Sequence, residues 1–385
     1  IESPSTDYTE VFDSAVLAAG QGNPPDIVQV DESLTQIAID SQLFQPISAI
    51  ASEEQLAEKR DDLLPIVTEF FTLDEDLWSI PWNSSNPIFY YNRDLFEAAG
   101  LDPDSPPTTY DEMLEQCAVI MAAELDGVTA CANWPLVSWF VEQWLAMQGE
   151  PLLNNENGRS ARASEVFLQT EAAQRIFNWW AEMAENGYYQ YTGQAGDYNG
   201  EGFAFLSQTT AMHINSTAGI SLLEAFSQAQ GWNLGIAPLP RPTADADSGV
   251  TVGGGSLFVM DGISDAETQA AVDFIFYLTN TENMAIWHQG TGYYPNTQSA
   301  IDLTEEQGFW EENPGYRIAL DQALNSEPSP ATAGIVVGPA AAVRSIIEET
   351  VQSIIDADED VNEALLAAEA RINEELADYN ALFAE

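Results

Sequence analysis

Between Pro81 and Pro87 lies a polar triplet, Asn83, Ser84 and Ser85, and directly after it an apolar β-forming run, Ile88, Phe89, Tyr90 and Tyr91. Proline fixes φ and disfavours helix for the residue before it. The triplet is therefore held extended or in a turn at the entrance to a strand. A protein built from two sheets can cross between them at such a point and present the hydroxyls to a small ligand. A short helix and a Pro-rich loop follow, with Thr109 as the N-cap of the next helix and Asp111 and Glu112 in its first turn.

With 385 residues the chain exceeds one small core and predicts two lobes. Hydrophobic residues make up 45%, ample for a packed interior. Against 62 Asp and Glu stand 10 Lys and Arg, a net charge of −52, and Lys59 is the one lysine. Such a surface repels nucleic acid and anionic membranes. It fits life in concentrated salt, where a Debye length of about 3 Å lets like charges sit close. No apolar run reaches the ~18 residues that a spanning helix needs. Cys117 and Cys131 are the only cysteines. They read either as a disulfide closing a short loop, as in an exported protein, or as two buried thiols, and the set is too small for a metal site.

Along the chain, 8–19 has an amphipathic helical pattern, and 27–30 is a short buried strand running into Asp31, Glu32 and Ser33. A strand that ends in polar residues is a common ligand-facing edge of an α/β sheet. Helical spacing recurs at 37–43, 56–71, 111–124, 135–149, 172–186, 266–278 and 282–289. The segment 187–202 reads as a loop. The strand 210–214 leads through Asn215, Ser216 and Thr217 into a helix starting near Ser221. Hydroxyls and free N–H groups at such a terminus suit an anion, or serve as an ordinary N-cap. In the strand 252–260, Gly253, Gly254 and Gly255 allow backbone to approach a ligand closely. The last stretch, 334–384, reads as two acidic helices.

No catalytic constellation stands out. His213 and His288 fall in separate patterns without zinc spacing, and no P-loop, dinucleotide or nucleophile-elbow motif is present. A glycosidase acid pair is the remote alternative, because carboxylates are so abundant. A binding protein asks only for two lobes, a strand hinge and converging polar and aromatic groups. Arg344 lies in GPAAAVRSII, an apolar stretch with small residues before a helix. In a chain so poor in cations, that placement points to a buried anion partner, and guanidinium suits phosphate.

Four segments carry a family resemblance: PWNSSNPIFYYNRDLF, its continuation through EAAGLDPDSPPTTYDEM, VGGGSLFVM at 252–260, and WHQGTGYYPNTQSAIDLTEEQGFWEENPG at 287–315. They resemble extracellular solute-binding proteins that feed ABC importers, in the branch binding glycerol-3-phosphate and glycerophosphodiesters. The resemblance implies an α/β two-lobed periplasmic-binding-protein fold of type II, with a central cleft and a strand hinge. It puts 1–91 and 251–299 in one lobe and 92–250 and 300–385 in the other. The family's first strand–helix unit, and any signal or lipid anchor, are expected to precede the chain's opening. By the same resemblance, Tyr8, Ser85, Ser216, Tyr293 and Arg344 surround a phosphate. Glu32 accepts from glycerol hydroxyls, Gly254 lends backbone, and Trp134 or Trp139 walls the ligand. It further implies an exported monomer, periplasmic or at the cell surface, that hands a phosphate ester to a membrane ABC permease. No cofactor or catalysis is implied. A neutral sugar or oligosaccharide is the alternative ligand.

Overall fold

A computed structural model describes residues 8–383. Among the described residues, nine strands form two large sheets, and a separate two-stranded hairpin pairs 72–73 with 76–77. The first sheet holds β1 (Ile27–Asp31), β2 (Phe44–Gln45), β3 (Ile80–Ser85) and β9 (Gly253–Met260), and β9 runs antiparallel to the other three. The second is ordered β8-β4-β7-β5-β6: β4 (Pro87–Asn92), β5 (Ala130–Asn133), β6 (Tyr189–Gln190), β7 (Thr210–Ser216) and β8 (Leu234–Ala237). There β4 is antiparallel to both β7 and β8, whereas β5 is parallel to β6 and β7.

The proline-flanked stretch is the junction of the two sheets. Ser85, the last residue of β3, pairs with Gly253, and Pro87, the first of β4, pairs with Ser216. Asn86 alone lies between. Proline is tolerated at the first residue of a strand because it leaves no ladder donor missing inside. All six residues of β4 are buried, as in a strand flanked on both edges and covered on both faces. The strand at 87–91 was expected in the first lobe. Its ladders to β7 and β8 put it in the second sheet, so the chain changes sheets at Asn86 rather than after 91. The apolar run fixed a buried strand without naming its partners.

Two further departures follow from local chemistry. The expected loop at 187–202 contains the start of a helix, α1 (Tyr198–Leu206), opened by Asp197, whose carboxylate accepts from the Gly200 N–H at 2.8 Å. Gly200 and Gly202 carry a helix penalty that hid it from the pattern. The expected helix 56–71 is broken: one helix ends at Asp62, and a short one restarts with Pro65 at its first turn.

The second sheet is covered by α2 (Ser138–Met147), buried at all ten positions, and by the paired C-terminal helices α3 (Ala340–Ala357) and α4 (Val361–Ala381). Beneath them lies an aromatic core: Trp134 stacks on Trp179 at 5.3 Å and 4°, Tyr110 stacks on the same ring at 3.8 Å, and Trp144 of α2 meets them edge-on. Cys117 and Cys131 are joined in a disulfide with Cα atoms 5.3 Å apart, tying the helix Tyr110–Ala122 to β5. Ahead of α3, Gly338 is required, since a Cβ there would fall 1.9 Å from the Tyr379 ring.

Candidate functional site

Where the sheets meet, a cavity of about 480 Å³ opens between the C-terminal end of β1, the β3–β9 ladder, the end of β7, and helices α1 and α3. Eight of the nine expected residues line it: Tyr8, Glu32, Ser85, Trp139, Ser216, Gly254, Tyr293 and Arg344. Trp134 does not. It is fully buried in the aromatic stack of the second sheet. The choice between the two tryptophans is thereby made by register: Trp139, on the first turn of α2, faces the cavity, while Trp134 precedes that helix and points into the core.

Each lining group is placed by its strand or helix end. Ser85 closes β3 and Ser216 closes β7. Their hydroxyls meet across the sheet junction at 3.0 Å, and Ser216 also caps the turn that follows it. Tyr8 accepts from the Asn83 side chain at 3.3 Å and lies in hydrogen-bond contact with Tyr293. Tyr293 in turn is parallel to Trp287, whose indole N–H donates to Asn83 at 2.9 Å. Gly254 has φ +117°, and a Cβ would fall 2.0 Å from the Asn83 carbonyl oxygen, so only glycine fits. Its N–H donates to Glu32 at 2.8 Å. Gly253 lies flat against the Trp139 indole, with no room for a Cβ. The Trp139 indole N–H, buried at the cavity, has no hydrogen-bond partner among the described residues.

Arg344 is the electrostatic centre. Its side chain is 17% exposed and is held by carboxylates from three directions. Nε and Nη2 donate as a fork to Glu142 at 2.8 and 2.9 Å, Nη2 also donates to Glu32 at 3.0 Å, and Nη1 lies 3.6 Å from Asp31. Burial works against its charge, but Glu142, Glu32 and Asp31 outweigh it and hold the guanidinium firmly protonated. For Glu32, burial and then the neighbouring Asp31 push the carboxyl well above its ordinary range, with Arg344 opposing. Glu348, one turn beyond Arg344, is raised by its own burial.

Glu142 was not anticipated, although a signal existed: it is the sole charged residue in an otherwise apolar or amide-bearing helix, the argument that singled out Arg344. Tyr198, Gly202 and Phe203 were missed together with the helix that carries them, and they form much of the opposite wall with Leu222 and Leu223.

An α/β molecule with a cavity at the crossing of its two large sheets, apolar on one wall and polar around Arg344, is built to hold a small solute. The chain belongs to the family of bacterial extracellular solute-binding proteins, whose sequence pattern matches residues 2–317. It is a binder rather than an enzyme, which closes the glycosidase alternative.

Among its relatives, the sn-glycerol-3-phosphate-binding periplasmic protein UgpB of Escherichia coli K12 is 31% identical over 376 residues, 95% of this chain and 83% of that protein. UgpB of Shigella dysenteriae serotype 1 matches at 31% over 375 residues, with the same coverage of both chains. Among solved structures, UgpB from Mycobacterium tuberculosis in complex with glycerophosphocholine superposes with a TM-score of 0.78 at 22% identity, covering 98% of this chain and 90% of that one. A cyclic α-maltosyl-1,6-maltose binding protein from Arthrobacter globiformis gives 0.78 at 20%, covering 98% and 91%. The fold is that of the two-lobed periplasmic binding proteins.

Proposed function

We propose that the chain captures a phosphate ester of glycerol, either sn-glycerol-3-phosphate or a glycerophosphodiester such as glycerophosphocholine, and delivers it to the membrane permease of an ABC importer. The observation that carries this reading is Arg344: in a chain with 62 acids and 10 cations, one guanidinium is built into the wall of the main cavity. Around it, Ser85, Ser216, Tyr8 and Tyr293 supply hydroxyls for the remaining phosphate oxygens. Glu32 accepts from glycerol hydroxyls, Gly254 keeps the floor low, and Trp139 walls the ligand with a free indole donor. The relatives named for sn-glycerol-3-phosphate, at 31% identity, support the same reading.

Charge favours the diester within this class. Three carboxylates already share Arg344, so a singly charged phosphate is tolerated better than a doubly charged one. A quaternary ammonium head would also find the aromatic faces of Tyr198, Phe203 and Trp139 in the same cavity.

The two lobes follow the ranges given above with the crossing moved to Asn86, and they close over the solute about the strand junctions at Asn86 and Gly253. Closure desolvates the phosphate, and these donors replace its water. The protein works outside the cytoplasm as a monomer, and the disulfide suits that location. Its acidic surface suits concentrated salt, so its melting temperature rises between about 0.1 M and about 1 M salt as repulsion is screened.

A neutral oligosaccharide is the second reading, favoured by the full set of carboxylates on Arg344. Calorimetric titration with glycerol-3-phosphate, glycerophosphocholine, glycerol and maltose separates the two. Tight binding of either ester with none of glycerol supports the phosphate anchor. Binding of maltose alone overturns it.

A further inference from the structure

The guanidinium of Arg344 is faced by carboxylates on three sides, with Nη1 the one nitrogen that makes no hydrogen bond among the described residues, 3.6 Å from Asp31. Glu142 holds the Nε–Nη2 edge as a fork, Glu32 takes the other Nη2 hydrogen, and Asp31 faces Nη1. One cation against three carboxylates leaves a formal −2 in a largely buried place. A phosphate anion seated on Arg344 would make it −3, and uncompensated buried charge is prohibitively costly. One carboxylate must therefore give up its charge.

The three are not equally free to do so. Glu142 reaches from α2 with both oxygens on Arg344 and accepts from the Ser138 hydroxyl at 3.3 Å. Asp31 is tied to its own segment, accepting from both the N–H and the hydroxyl of Ser33, at 3.1 and 2.6 Å. Glu32 holds Arg344 through a single bond and keeps one backbone N–H, that of Gly254, on its other oxygen. It sits in the turn directly after β1, on a different segment from α2 and α3, so it can part from Arg344 without disturbing the Glu142 fork.

Accepting that the solute is a phosphate ester, we propose that Glu32 occupies the seat the phosphate must take. The ligand oxygen replaces Glu32 on Arg344 Nη2, and Glu32 takes up one proton from solvent and turns its O–H or remaining acceptor to the ligand. The charged and titratable groups facing Glu32 agree on the direction. Asp31 on its own segment favours the neutral acid, and Tyr293 from the first lobe and Tyr198 from α1 face the same carboxyl without bringing a positive charge. Arg344 opposes, as does the Gly254 N–H bonded to Glu32, with Glu142 and Glu348 lying beyond Arg344. Burial already raises the Glu32 carboxyl, and pairing Arg344 with phosphate weakens the larger of the two influences that lower it, leaving the Gly254 N–H.

The sign follows: a group with a higher pKa in the complex than in the free protein gives tighter binding at lower pH, lost as pH rises through its value in the complex. Glycerophosphocholine is the probe, because its diester and its quaternary ammonium do not titrate near neutrality. Titration calorimetry from about pH 6 to about pH 9, in pairs of buffers differing in ionisation heat, counts protons directly. Uptake approaching one proton per ligand on the alkaline side is expected, with affinity weakening up to about tenfold per pH unit there. In Glu32→Gln the uptake vanishes and affinity becomes flat with pH. Binding of wild type with no proton uptake across the whole range overturns the inference while leaving the phosphate reading intact. Wild-type uptake surviving in Glu32→Gln overturns it too, and loss in Asp31→Asn instead would move the placeholder to Asp31. Failure of every phosphate ester to bind overturns the underlying reading itself.

Discussion

Arg159 and Arg344 are both part-buried, yet they are held in opposite ways. Arg159 donates to carbonyl oxygens only, those of Glu69 at 2.8 Å, Gly334 at 3.2 Å and Ala333, and its guanidinium lies 5.3 Å from the centre of the Phe70 ring. Burial brings its pKa down to about 10, with Glu69 opposing weakly. Arg344 instead meets three carboxylates, and its pKa is driven up. The first is a bolt between the segment at Glu69 and the loop before α3. The second carries more negative charge than it can neutralise and borders a cavity. An excess of that kind stabilises nothing efficiently, because desolvating each acid costs more than a shared cation returns. It makes sense where partners are to be exchanged.

The largest expected effects break the comparison at its two poles. Arg344→Ala should weaken phosphate-ester binding about a thousandfold, roughly 3–5 kcal/mol, by analogy with removing one partner of a buried charge pair. Arg159→Ala should leave affinity near wild type and lower stability by about 1–3 kcal/mol, as carbonyls lose their donors. Titration and chemical denaturation of both variants check this, and equal losses of affinity would erase the distinction.

The two tryptophans give the next contrast. Trp134→Ala should cost roughly 3–5 kcal/mol of stability as a core cavity opens, with affinity kept in the folded fraction. Trp139→Ala should weaken binding at least about tenfold at a smaller stability cost.

Acid should act oppositely on scaffold and site. Burial holds His213 down to about 3 and His288 down to about 4, against contacts to the Asn133 and Tyr293 backbones. Both are therefore neutral in the fold, while the unfolded chain protonates them near pH 6.5. Their stabilisation is present above that pH and is lost as pH falls from there toward about 4 and 3, on the order of 3 kcal/mol for each. A melting temperature that drops between neutral pH and about pH 4.5, less so in His213→Gln, is the expected result. Ligand affinity should move the other way over its own range. The smallest effect concerns aim: Glu142→Gln keeps the size of the side chain but loses the charged fork, and should weaken the ester about tenfold in calorimetric titration.

Much of this arrangement was legible in the sequence because its strongest signals are local. Proline on either side of a polar triplet, a triple glycine and an arginine set in alanines each specify backbone behaviour within a few residues, and all three converge on the cavity. What was not legible depended on distant partners. The run at 88–91 declared a buried strand, but only the ladders to β7 and β8 assign its sheet. Trp134 and Trp139 differ by where α2 begins, and helix starts are uncertain by a turn. The helix Tyr198–Leu206 was masked by Gly200 and Gly202, and with it the opposite wall of the cavity went unseen. Glu142 was missed because a lone acid in an acidic chain draws no notice until its arginine is found.

The central claim is that a phosphate ester seats on Arg344. The most direct test is a crystal structure of the protein grown with glycerophosphocholine. The account predicts phosphate oxygens within hydrogen-bond distance of Arg344 Nη2 and of the Ser85 and Ser216 hydroxyls, with Glu32 no longer bonded to the guanidinium. A ligand bound with its phosphate turned away, and the Glu32–Arg344 bond intact, would contradict it.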